Sequence, residues 1–169
     1  MPKRKPTPKQ GTRGTTKTRR MQLQLARHLL RLTEDHSIAA GAKLVGLTTN
    51  DIKNLRAGNM PGLRSLVQVV RKLRVTPESI LSRGPLETLP SGISMRGATE
   101  QRVKERIQRI SRESVPADLA ADSGLSIASI YQYRSLNDKI GLHAYLAFVA
   151  AGFDAGELLI GRAARLSRA

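Results

Sequence analysis

The chain repeats itself, and the repeat limits what it can fold into. Shifted by 78 residues, Leu25, Leu29 and Leu32 fall on Val103, Ile107 and Ile110, and Ala42 and Gly46 fall on Ala120 and Gly124. Thr48, Ile52, Leu55 and Arg56 fall on Ser126, Ile130, Tyr133 and Arg134. The register drifts by one where Gly62-Leu63 meets Gly141-Leu142, then recovers where Ile80-Leu81 meets Leu158-Leu159. A duplication of this kind divides a chain of 169 residues into two very small units. Each unit has to build a core with few aromatics, which make up 3% of the chain, and without Trp. Leu, Ile, Val and Ala must fill it, which favours short helices over a β-sandwich.

Each copy is expected to form five helices. In the first copy, Met21, Leu25, Leu29 and Leu32 recur at helical spacing over 21–33. Ser37 is placed to cap a second helix that runs to about Val45, and Gly46 permits a sharp turn. Thr48 caps a third helix, 49–57, which Gly58 stops. Leu63, Leu66, Val67, Val70 and Leu73 mark an amphipathic fourth, and Thr76-Pro77 opens the fifth as an N-cap followed by Pro. In the second copy, Asp154 and Glu157 form a capping-box pair ahead of the last helix.

Net charge is +16, and it is unevenly distributed. Residues 1–20 hold eight basic side chains and no acid, among them Lys3, Arg4, Lys5, Arg13, Lys17, Arg19 and Arg20. Residues 100–169 hold ten basic and eight acidic side chains. Such a field attracts polyanions, and its front end is the stronger. With three Pro, two Gly and a single apolar side chain, Met1, residues 1–20 are expected to be a disordered basic arm. The stretch from Ser82 to Gly97, rich in Pro and Gly, reads as a linker. The expected organisation is an arm (1–20), a first domain (21–82), a linker (83–99) and a second domain (100–169).

Two short helices joined by a Gly-containing turn, with small Ala42 beside Gly46, make a helix-turn-helix pattern. The segments SIAAGAKLVGLTTNDIKNLRAG…LRSLVQVVRKLRVTPESIL and SVPADLAADSGLSIASIYQYRS…LHAYLAFVAAGFDAGELLIG resemble the phage repressor/Cro-type helix-turn-helix, also called the XRE type. The resemblance covers nearly everything outside the arm and linker. It implies an all-α protein of two tandem five-helix, lambda-repressor-like domains behind a disordered basic arm. It also implies a double-stranded DNA partner, with the third helix of each copy in the major groove.

On that resemblance the base-reading residues of copy one are Thr49, Asn50 and Asn54, with Lys53 and Arg56 also facing outward and Thr48 touching phosphate. Asn suits bidentate bonding to adenine, and a Thr methyl suits thymine. In copy two the set is Ile127, Ala128, Tyr131, Gln132 and Arg134, capped by Ser126. Gln132 is an adenine reader; Ile127 and Ala128 either meet thymine methyls or pack against protein. The arm either follows a groove or phosphates beside copy one, or is a solubilising tail.

The sequence departs from the family twice. Arg56 and Arg134 stand where relatives commonly carry Glu, facing Arg31 and Arg109 on the first helix of each copy, so two cations replace an ion pair. Either an acid from elsewhere neutralises them or they face phosphates. Gly41 replaces a Leu, and weaker packing is expected there.

The exclusions follow from absences. The chain has no Cys, and its sequence shows no P-loop, HExxH or GxSxG pattern. His28, His36 and His143 are scattered and expected at the surface or its boundary. No catalytic residue, metal or cofactor is expected. No apolar run approaches the ~20 residues of a bilayer span, and residues 1–20 lack a secretory h-region. The expectation is a transcriptional regulator, a phage- or mobile-element-type repressor of the bacterial cytoplasm and nucleoid. It would bind as a monomer to a bipartite site, with a homodimer left open. A linker of about 14 residues would let the two recognition helices range over roughly 45–50 Å. The rival expectations are an antitoxin-like adaptor in which only copy one holds DNA, and an architectural or recombination accessory protein.

Overall fold

The computed structural model describes the backbone of residues 12–161 and the side chains of residues 16–161. Lys3, Arg4, Lys5 and the side chain of Arg13 therefore lie outside the described residues. Among the described residues the regular structure is helical, apart from one isolated β-bridge. The first copy holds α1 (Thr12–Thr33), α2 (Ile38–Val45), α3 (Thr49–Arg56), α4 (Leu63–Leu73) and α5 (Pro77–Ile80). The second holds α6 (Glu100–Glu113), α7 (Pro116–Ser123), α8 (Ile127–Ser135), α9 (Leu142–Ala150) and α10 (Ala155–Ile160), with a short 3-10 turn, Asn137–Lys139, after α8.

Local chemistry sets most of these boundaries. The Ser37 hydroxyl accepts from the Ala40 N–H, Thr76 from Ser79, Ser126 from Ser129, and Asp154 from Glu157. At α3 the cap is reciprocal: Thr48 Oγ1 accepts from the Asp51 N–H at 3.1 Å, and the Asp51 carboxylate accepts from the Thr48 N–H at 2.9 Å. Gly46 and Gly124 close α2 and α7 at φ +76° and +72°, a left-handed backbone that glycine adopts without a Cβ penalty.

The buried side chains form one continuous cluster across both copies. Leu25, Leu29, Ile52, Leu66 and Ile80 in the first copy have no exposed surface, nor do Ile107, Ile130, Tyr145, Phe148 and Leu159 in the second. The copies join through α1 on α9, α4 on α6, α4 on α9 and α5 on α10. Exchanging the copies turns the α1–α9 contact into α6–α4 and leaves α4–α9 and α5–α10 unchanged. That is the signature of an approximate two-fold relation. At its centre the Gly156 N–H donates to Glu78 Oε1 at 3.0 Å, and these residues occupy the same position of the repeat. Neither α3 nor α8 belongs to this main junction.

Two expectations about unstructured segments are corrected. Residues 12–20, expected within the disordered arm, are the first turns of α1. Thr18 is buried and lines a cleft with His143 of α9, so α1 extends forward along the second copy. Each residue added to an existing helix gains a hydrogen bond without a new nucleation cost. The stretch 83–99 is a strap and not a loose linker. Val75 and Thr88 form the antiparallel bridge, the Thr76 N–H donates to Glu87 O at 2.8 Å, and the Leu89 N–H donates to Arg74 O at 2.6 Å. Leu89 and Ala98 are buried, and the guanidiniums of Arg74 and Arg71 donate to Ile93 O and Ala98 O. A reach of 45–50 Å between the copies therefore does not apply.

Candidate nucleic-acid interface

The α2–Gly46–α3 corner is anchored from inside. Ala42 and Val45 of α2 and Ile52 and Leu55 of α3 are buried, so the rest of α3 faces outward. Thr48, Thr49, Asn50, Lys53 and Asn54 are all exposed on it. The carboxamides of Asn50 and Asn54 make no hydrogen bond to a described residue, and Asn54 borders a cleft of about 230 Å³ with Asp51 and Asn59. A neutral donor–acceptor surface is thus offered on a helix whose own backbone is already capped.

The corresponding face of α8 differs in chemistry. Ser126, Ile127, Ala128, Tyr131 and Gln132 are exposed, with Ile127 at 49% and Tyr131 at 54% of full exposure. Arg134 Cζ lies 5.5 Å from the centroid of the Tyr131 ring, within cation–π range. Val115, before α7, and Leu136, after α8, are also exposed.

Arg56 and Arg134 each find partners on the first helix of their own copy. Among the described residues no acid pairs with either. Arg56 Nη2 donates to Thr33 O and His36 O, each at 2.8 Å. Arg134 Nε donates to Ser111 O at 2.6 Å, and its Nη2 donates to Arg112 O and Ser114 O at 3.0 and 3.1 Å. Each guanidinium caps the carbonyl end of the first helix in its own copy, where the helix dipole is negative. Arg56 is nonetheless exposed and spends only its Nη2, and Arg134, half-buried, spends its Nε and Nη2, so each guanidinium is engaged within the protein in part. Arg31 and Arg109 are exposed.

Gly41 is likewise not a packing defect. A Cβ built there would stand 3.1 Å from Thr33 Cβ, so the missing side chain lets α2 approach the end of α1. Thr33 and Ser111, again equivalent positions, are buried and return their hydroxyls to the carbonyls of Leu29 and Ile107.

Of the arm residues, Lys17, Arg19 and Arg20 are exposed on α1, 13–16 residues before Thr33. At 1.5 Å per residue they sit about 20–24 Å along the axis from the end that Arg56 caps, so the structure does not bring them to α3. His28, expected at the surface or its boundary, is buried at that edge, and its Nε2 donates to Ser82 O at 2.8 Å. His36 and His143 are exposed. Around α6, Arg106 spends its guanidinium on Leu158 O, Leu159 O and Gly97 O. Burial first, then the charges of Arg102 and Arg109, lowers its pKa from the ordinary arginine value. Tyr145 donates to Ala155 O, and full burial raises its phenol well above the usual range.

No helix among the described residues is long and apolar enough to cross a membrane. Comparison with protein-family models, curated proteins and solved structures finds no match to this chain.

Proposed function

We propose that this chain is a sequence-specific double-stranded-DNA-binding transcriptional regulator of the repressor/Cro-like helix-turn-helix kind. In this reading α3 lies in the major groove, α8 occupies a second groove segment, and the basic front of the chain holds phosphates. The observation that carries it is the α3 face: Asn50 and Asn54 exposed and unbonded, on a helix capped at Thr48 and locked by Ile52 and Leu55. Each exposed carboxamide offers one donor and one acceptor, the pair that adenine's groove edge complements. Repression by promoter occlusion is the regulatory sense proposed, as a phage or mobile element would use.

The test begins with footprinting on genomic fragments to find the operator. Asn54→Ala or Asn50→Ala should then weaken operator binding by about 1–3 kcal/mol, the worth of one bidentate pairing with a base. Binding to random duplex should stay unchanged, because both residues are neutral. Equal losses on both DNAs would remove these residues from base reading. A second reading concerns α8 alone, where exposed Ile127 and Tyr131 favour a protein partner over bases. It predicts that Gln132→Ala leaves every part of the footprint intact.

A further inference from the structure

A wide cleft lies far from α3, beside the first half of α1. It opens between the first half of α1 and the end of α5, encloses about 510 Å³, and has Lys17, Arg20 and Arg83 at its rim. Met21 and Leu81, both buried, line its apolar part, beside Gln24 and Ser82. No acid lines it. The ion pairs among the described residues, Arg102–Glu105 and Lys104–Glu100, are both on α6, so none of the three rim cations has an anionic partner there. A comparable cleft on α6 differs on both counts: Glu105 lines it, and Arg106 donates to backbone carbonyls.

The cations are also placed by the fold. Lys17, Arg20 and Gln24 recur three and four residues apart and share one face of α1. Arg83 comes from another element, and the segment carrying it is pinned. The buried imidazole of His28 donates to Ser82 O, and Leu81 is buried beside it. A buried histidine that serves no part of the α3 surface thus holds a third cation opposite two others.

We propose that this cleft is a binding site for phosphate esters, with Lys17, Arg20 and Arg83 taking the phosphate oxygens and Met21 and Leu81 receiving the rest of the ligand. Arginine matches phosphate with parallel charge-assisted hydrogen bonds, and three unpaired cations favour more than one negative charge. The volume falls within the roughly 300–1,000 Å³ typical of small-molecule sites, so a bare phosphate would leave most of it empty. The ester comes either free, as a nucleotide, or as a nucleic-acid backbone, and the experiment separates these. The site does not rest on base reading by α3, so either can fail alone.

The experiment measures binding of ADP, pyrophosphate and a short random-sequence duplex to the full chain by calorimetry at fixed ionic strength. Two double variants each remove two charges: Arg20→Gln with Arg83→Gln in the cleft, and Arg102→Gln with Arg109→Gln on α6. The cleft variant should weaken at least one probe by about tenfold, a difference of 1.4 kcal/mol, while the α6 variant changes it less than about twofold. Loss confined to the duplex assigns the site to a backbone. Loss of ADP and pyrophosphate assigns it to a free phosphorylated ligand. Equal losses in the two variants would reduce the cleft to diffuse charge and overturn the proposal. So would the absence of any probe binding tighter than about 1 mM. Circular dichroism checks the fold, and Lys17→Gln serves if the double variant does not fold.

Discussion

Arg134 sits among the residues expected to face DNA, yet three of its five N–H groups end on the carbonyls of Ser111, Arg112 and Ser114. These oxygens belong to the last turn of α6 and the residue beyond it, where no intrahelical partner is available. A hydrogen bond from a charged donor contributes about 1.5–3 kcal/mol, and partial exposure brings the sum toward the lower end. Arg134→Ala is expected to lower unfolding stability in urea by about 2 kcal/mol. Arg56→Ala, with two bonds on a more exposed residue, should lower it by about 1 kcal/mol. Lysine should not rescue Arg134, since one ammonium cannot span the carbonyls that a planar fork reaches. If Arg134→Ala leaves urea stability unchanged but weakens duplex binding, its principal role is a phosphate contact. The arginine is plain in the sequence, but its acceptors lie 20–23 residues away and are backbone atoms, which carry no residue identity to read.

Elements whose cause is local were legible. The caps at Ser37, Thr48, Thr76 and Asp154 each act within three residues, and all four lie at their expected helix starts. The strap at 83–99 was not legible, because Pro and Gly signal turns equally in a free linker and in a segment fixed by Leu89 and Ala98. The start of α1 was missed for a related reason. Thr and Lys show no apolar period there, and the helix they pack against is more than a hundred residues on. On the α3 face, exposure of Thr49, Asn50, Lys53 and Asn54 followed from the burial of Ile52 and Leu55, a periodicity visible in one dimension. The strap gives a direct test. A Cβ on Gly97 would lie 2.6 Å from Ile160 O and 2.8 Å from Arg106 Nη2, whereas one on Gly84 meets nothing within 4 Å. Gly97→Ala should therefore cost about 1–3 kcal/mol in urea unfolding. Gly84→Ala should be neutral or stabilise by about 0.5 kcal/mol through its unfolded-state entropy. Equal, near-zero effects at both positions would make the segment a free tether.

At the scale of the whole molecule, the junction decides how the two copies would meet DNA. Single helix-turn-helix units commonly dimerise so that two recognition helices sit about 34 Å apart on one face of the duplex. Here α4 on α9, α5 on α10 and the Glu78–Gly156 bond join the two copies within one chain, leaving α3 and α8 outside the main junction, where the proposed function would use them. One chain should then suffice for one bipartite site, and unequal helix faces should demand unequal half-sites. A free tether and a packed junction differ in one measurable respect. A tether tolerates changes of half-site spacing, because the second module reaches its target by diffusion at a high effective concentration. A packed junction fixes both distance and rotation. Inserting about five base pairs, half a helical turn, between the half-sites turns the second groove to the opposite face. Binding should fall to the level of copy one on a single half-site, with no protection over the other half. Inserting a full turn of about ten base pairs restores the face but adds about 34 Å, and it should not recover affinity. The measurement is footprinting and stoichiometry on a set of operators that differ only in spacer length. Affinity that declines smoothly with spacer length, or two chains on each site, would show that the junction between the copies opens on DNA.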